Sequence, residues 1–337
     1  FMKKIVENTS KYLAMSKEEN KEFLDNLFSL MKKLEADVVD YQGLKILSAP
    51  PLCPDCRSNH IIKNGLQNEM QNYRCKDCGR QFRVTTGTFV YRLQKKEKML
   101  DYIRCMVAGK SLRACAKEVG ISLPTSFAWR HKILAALQSF EDNINFFGVV
   151  EMDELLMDYS EKGRIYKNAE ELKRARKQKP KKVAVLAATD RAGNLLFKKF
   201  ESKKLSSEQI EQFLKAKMPK DGVMCSSNKK AFKKVRRNVI KHKEVVTNHR
   251  QKRGIYSLST VKKKASEFTN WIYFKFRGVA TKYLQNYIMW YVVMGKYLTG
   301  KTVSNTGRML NLASSDRWAW YRYRELVNIT YVNFNIY

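Results

Sequence analysis

The sequence predicts a multidomain α/β protein. Three observations carry that prediction: two Cys-x2-Cys pairs separated by eighteen residues, three consecutive helical periods after residue 95, and strands alternating with helices from residue 149 onward. At 337 residues, with 44% hydrophobic and 12% aromatic content, the chain is long and apolar enough to fold into several cored units. Lys and Arg number 65 against 32 acids, a formal charge of +33. Such an excess calls for a polyanionic partner, nucleic acid above all, with a merely solvated surface as the alternative. No apolar run approaches the ~18 residues a membrane span requires, and no signal-peptide pattern follows Met2, so an intracellular protein is expected.

Residues 1–48 are read as an N-terminal helical segment. Ser16 stands three residues before Glu19 as a capping box, and Phe23, Leu24, Leu27, Phe28, Leu30, Met31 and Leu34 follow at helical spacing. "SAPPLCP" then marks a linker. In residues 49–92, Cys53, Cys56, Cys75 and Cys78 have the spacing of two knuckles that close one tetrahedral thiolate site. Short strands around a turn at Asn64-Gly65 complete the pattern of a zinc ribbon, with structural Zn²⁺ as the expected cofactor. Four sulfurs would fill the coordination sphere and leave no position for catalysis. Arg57, Lys63, Arg74, Lys76, Arg80 and Arg83 surround it as candidate phosphate contacts.

Residues 93–146 read as three helices. The first ends near Gly109, the second runs from Ser111 to Gly120, and the third opens at Ser122 with Pro124 in its first turn. The last two form a helix-turn-helix pattern. Laid in a major groove, the third helix would present Thr125, Ser126, Trp129, Arg130 and Lys132 to double-stranded DNA; a plain helical linker is the competing reading.

From residue 147 to 300, a strand "VVEMDELL", a hairpin about Arg191-Ala192-Gly193, a capped helix, the strand "GVMCSS", a basic helix, the strand "EVVT" and a long helix follow in the order of an RNase H-like core. "KRARKQKPKK" reads as a basic loop whose Arg174 and Arg176 track DNA or are simply solvated. Residues 301–337 form an aromatic tail with three arginines, suited either to stacking on bases or to capping the core or a dimer contact.

"NWIYFKFRGVATKYLQNYIMWY", residues 270–291, and "VEMDE", residues 150–154, resemble the ISXO-like insertion-sequence transposases. That DDE-type group has a zinc ribbon ahead of an RNase H-like (DDE integrase-type) catalytic core. The resemblance implies that Asp153 is the first acid of a two-metal site, and it aligns the second and third positions with Ser227 and Lys262. Both depart from the family pattern, which has Asp and Asn there. One ligand charge is lost and an ammonium is gained, so Mg²⁺ is expected only if displaced acids rescue the site. Glu151, on the strand face of Asp153, Glu154, on the opposite face, and Asp190, Asp221 and Glu267 are the acids to weigh, and Lys262 is expected to balance Asp153 in place of metal, or else to form with Lys263 and Lys264 a basic face toward DNA. The expected protein is a catalytically inactive, transposase-derived binder of duplex DNA with a regulatory or architectural role, a homodimer or higher oligomer. The alternative is an active metal-dependent transposase performing cleavage and strand transfer.

Overall fold

The computed structural model describes residues 52–67, 70–164, 166–177, 181–218, 222–227, 229–238, 245–246, 256–298 and 302–329. The amphipathic helix expected within residues 10–37 lies outside them. Strands β1 (Ile61–Gln67), β2 (Met70–Cys75) and β3 (Gln81–Arg83) form an antiparallel sheet in that order. Asn64-Gly65 is not the turn. β1 runs through it with a register shift between Lys63 and Leu66, Gly65 has φ 72°, and the strand continues to the pair Gln67–Met70. The left-handed backbone that Asn-Gly tolerates serves a bulge here.

Helices α1 (Met99–Val107), α2 (Leu112–Val119) and α3 (Leu123–Ala136) follow. The Ser111 and Ser122 side chains accept from the backbone N–H groups of Ala114 and Thr125, closing two helix N-termini, and Gly120 ends α2 at φ 65°. The α/β core then runs β4 (Val149–Asp158), α4 (Ala169–Lys177), β5 (Lys182–Asp190), β6 (Leu195–Phe200), α5 (Ser207–Lys217), β7 (Val223–Ser226), α6 (Lys230–Asn238), β8 (Val245–Val246) and α7 (Ser259–Phe276). Helix α4 corrects the expected basic loop: the first half of "KRARKQKPKK", up to Lys177, is helical, begun by Asn168, whose Oδ1 accepts from Glu171 N at 2.8 Å.

The sheet order is β6-β5-β4-β7-β8, antiparallel among the first three strands and parallel from β4 outward. This is the RNase H-like succession. It puts β4, the strand bearing Asp153, between the hairpin partner β5 and the parallel strand β7. Residues Val183 to Asp190 of β5 are buried, as a central strand covered on both faces requires.

Three more helices finish the described chain: α8 (Leu284–Tyr297), α9 (Thr302–Ser314) and α10 (Ala319–Asn328). They pack against α3, α9 also touching α1, so the aromatic tail caps the helical core. The Lys132 ammonium sits 4.6 Å from the Trp320 ring centroid, and Arg322 Nε donates to Ala135 O at 3.1 Å. The same helix reaches the ribbon side, where Trp320 N donates to Gly87 O at 2.9 Å and the Arg57 guanidinium lies 4.8 Å from the Trp318 ring centroid. Gly87 has φ 82°, and a Cβ there would lie 2.1 Å from Arg317 O. Gly87→Ala is therefore expected to cost at least about 2 kcal/mol, combining a left-handed penalty with a backbone clash. A urea midpoint equal to wild type would refute that close approach.

Candidate functional site

The register of β4 with β7 pairs Glu151 with Cys225 and Met152 with Ser226. Ser227 follows directly on the end of β7, beside the strand that carries Asp153. The Asp153 side chain is 17% exposed, and its Oδ1 accepts from Glu154 N at 2.8 Å. The Lys229 ammonium stands 3.7 Å from Asp153 Oδ1 and 3.0 Å from Glu154 Oε2, and it also donates to Glu154 O at 3.1 Å. Lys229 thus supplies a counter-charge to Asp153. It bridges two carboxylates that strand alternation was expected to separate. Because Lys229 is 43% exposed, water screens each pair and holds it to about 1 kcal/mol.

The other acids are committed elsewhere. Glu151 is buried, and its Oε2 accepts from Thr260 N at 2.9 Å and Val261 N at 3.0 Å, capping the helix that carries Lys262 in its first turn. Glu154 Oε1 accepts from Leu205 N at 2.6 Å. Asp190 staples its hairpin, taking Asn194 N at 2.9 Å, Asn194 Nδ2 at 2.8 Å and Phe147 N at 2.9 Å. Glu267 pairs with Lys264 at 3.0 Å, which holds its carboxyl below the usual range. Asp221 lies outside the described residues. The buried Ser226 and Ser227 hydroxyls have no hydrogen-bond partner among the described residues.

The four cysteines do fit a metal. Their sulfurs all lie within 4.8 Å of one another, with Cys53–Cys78 and Cys56–Cys75 each at 3.5 Å, near the edge length of a tetrahedron with Zn–S bonds of about 2.3 Å. Two matching knuckles build it: Arg57 N donates to Cys53 O at 3.0 Å, and Gly79 N donates to Cys75 O at 3.0 Å. Arg57 and Gly79 are both left-handed, at φ 61° and 73°. The backbone N–H of Cys78 draws the Cys75 thiol down to about 7. Cys56 is pushed up to about 12 by desolvation and the neighbouring thiols, against the opposing pull of the Ser58 backbone. Four thiolates would hold Zn²⁺ structurally, and removing it with a chelator is expected to unfold β1–β3 and release Arg57 from Trp318. Tryptophan emission and ribbon amide exchange that stay fixed on chelation would count against this.

The candidate DNA-reading residues are placed differently from expectation. Thr125 is half-buried, with Oγ1 2.8 Å from Ser122 Oγ. Ser126, Trp129, Arg130 and Lys132 are buried. Ser126 Oγ donates to Leu112 O at 2.9 Å, Trp129 meets Tyr102 edge-on at 5.4 Å, and Arg130 Nη2 donates to Lys110 O at 2.7 Å while its guanidinium faces the Trp290 ring at 5.4 Å. They hold the core because α2, α8, α9 and α10 surround α3. What α3 leaves exposed is its first turn, Ser122 to Pro124, together with Phe127. Arg83 is spent inside the ribbon, its Nε donating to Asn72 Oδ1 at 2.9 Å. Arg174 is exposed and 3.8 Å from Glu170. The Arg176 side chain lies outside the described residues, and Lys263 is exposed on α7.

Sequence reasoning missed Lys229, although a lysine two residues beyond the strand-end position was the available signal. It also missed a cleft of about 610 Å³ bordered by Glu151, Asp190, Arg191, Lys264 and Lys296.

The described chain thus sets an α/β sheet of RNase H-like strand order after a four-cysteine ribbon. Residues 146–291 match the family model described as the ISXO2-like transposase domain. The resemblance read from the sequence therefore holds for the α/β core. The chain is 32% identical over 117 residues to an uncharacterized protein in transposable element ISH50 of Halobacterium salinarum, a match spanning 33% of this chain and 38% of that protein's length. Among solved structures, a pre-cleavage Mos1 transpososome aligns over 70% of this chain and 78% of that one at 11% identity, with a TM-score of 0.27, too slight to carry an argument. No described helix is long and apolar enough to cross a membrane.

Proposed function

We propose that this chain is a transposase-derived DNA-binding protein that has lost two-metal catalysis. The single observation that carries the reading is the Lys229 ammonium, 3.7 Å from Asp153 and 3.0 Å from Glu154, in a site whose second position is Ser227. Strand transfer requires divalent ions to activate the attacking oxygen and stabilise the leaving one, and an ammonium held against the acids competes with them and lowers their affinity. What the fold retains is the means to bind duplex DNA. The charge of +33 supplies phosphate affinity, and the α2–turn–α3 unit, read as a helix-turn-helix, offers its exposed first turn to a groove rather than its buried middle. Structural Zn²⁺ in the ribbon, an intracellular setting and a homodimeric or larger assembly belong to the same proposal.

The test joins two measurements. Duplex affinity is expected to fall steeply between low and physiological salt, and a strand-transfer assay with Mg²⁺ or Mn²⁺ is expected to give no joined product. Joining that Asp153→Ala abolishes would overturn the loss of catalysis, and absence of salt-sensitive DNA binding would overturn the whole reading.

A further inference from the structure

The outer face of α7 carries an unusual surface. Lys263, Ser266, Asn270 and Phe274 are all exposed, and their spacing of three, four and four residues puts them within an arc of about 80° along about 17 Å of helix surface, with the exposed Arg277 just past the helix end as its left-handed C-cap. Phe274 is 82% exposed, the highest value among the exposed large hydrophobic side chains, and the half-exposed Tyr273 is next to it. The neighbouring acid Glu267 is neutralised by Lys264 at 3.0 Å. The far end of the helix is firmly held, with Arg277 N donating to Tyr273 O at 3.0 Å and the Lys162 ammonium reaching Gly278 O at 3.2 Å. At its near end the helix is anchored by Glu151, two residues from Asp153 on β4.

A core position, a solubilising face and a self-association patch each predict a different composition for this stripe. The first would bury Phe274, the second would carry no aromatic ring, and the third would not line the ring with Lys263 and Arg277. Cations spaced along a rigid helix, an amide and an open aromatic face match the chemistry of a nucleic-acid strand: phosphates, a base edge and a base plane. We propose that this stripe is a track for an unpaired segment of DNA, with Lys263 and Arg277 on phosphates and Phe274 stacking on an unstacked nucleobase. The inference rests on the DNA-binding reading above and specifies the kind of DNA. Its ligand is a duplex that has been locally opened or that ends in a single-stranded overhang.

The experiment compares three fluorescent probes: a fully paired duplex, the same duplex with a short unpaired bulge, and the bulged duplex carrying 2-aminopurine in the bulge. Wild type is expected to bind the bulged duplex about fivefold or more tightly than the paired one, the range of one stacked base. Its binding should also quench the 2-aminopurine emission. Phe274→Ala is expected to bring the affinity ratio to about one and abolish the quench, and Phe274→Trp to restore both. Equal affinity of wild type for the two duplexes overturns the track while leaving DNA binding standing. A Phe274→Ala variant that changes sedimentation but not the affinity ratio overturns it in favour of a contact between two copies of the chain. Failure to bind any of the three overturns both readings.

Discussion

Replacing His131 with phenylalanine is expected to remove most of one proton's worth of acid destabilisation between pH 6.5 and pH 3. His131 is 2% exposed, stacks on Tyr283 at 4.0 Å and leans on Phe127 at 4.3 Å, and its Nδ1 has no hydrogen-bond partner among the described residues. Burial, with Arg130 and Lys282 adding repulsion, holds its pKa down at about 3, against 6.5 in an unfolded chain. The folded value is depressed, so below pH 6.5 the unfolded chain binds a proton that the native chain refuses. The contribution to stability is fully present above pH 6.5 and is lost progressively as pH falls toward 3, at about 1.4 kcal/mol per pH unit. At pH 4.5 the accumulated loss is about 3 kcal/mol, a large share of the stability of an ordinary domain. His131→Phe keeps the stacking and has nothing to protonate. Urea unfolding of both proteins at pH 7 and pH 4.5 isolates the effect from the carboxylates, which titrate in both. Parallel losses in the two proteins would show that His131 is not held neutral.

The second large effect tests the proposed loss of two-metal catalysis. Ser227→Asp combined with Lys229→Ala and Lys262→Asn changes the local charge by three units in the negative direction and puts a new carboxylate just past the end of β7, beside the strand that carries Asp153. Calorimetric titration with Mn²⁺ is expected to show binding in the triple variant and none in wild type. Ser227→Asp alone is expected to fall short, because Lys229 would pair with the new acid as it does with Glu154 at 3.0 Å. Equal Mn²⁺ binding by wild type and the triple variant would mean that the amine does not block the site. Restored binding with no joining activity would still be informative, because it would place the remaining defect in Glu151, whose carboxylate is committed to the α7 N-terminus.

The legible parts of this protein were those encoded locally. The cysteine spacing, the serine caps at Ser111 and Ser122, Gly120 and the hairpin at Arg191-Ala192-Gly193 each express a short-range rule, and the structure shows each in place. What failed to be legible depended on partners far along the chain. Arg130 and Lys132 look like surface residues because a buried cation normally needs an acid nearby in sequence or space. Here the Lys110 carbonyl and the rings of Trp290 and Trp320 take that role, the two rings from residues more than 150 positions away. Lys229 was hidden for the same reason, since its two carboxylate partners are on a strand some 75 positions earlier. Asn64-Gly65 misled differently, because a left-handed pair suits a bulge as well as a turn, and only pairing partners decide between them.

The clasp between Trp320 and Gly87 bears on how the protein is made. The segment that finishes the ribbon-side packing emerges from the ribosome more than two hundred residues after the segment it secures. The front half must therefore wait, uncovered, until nearly all of the described chain has been synthesised. Messages cut short before that helix would yield products exposing the apolar flank of α3, prime targets for proteolysis. Chains that include that helix would therefore be the ones that accumulate.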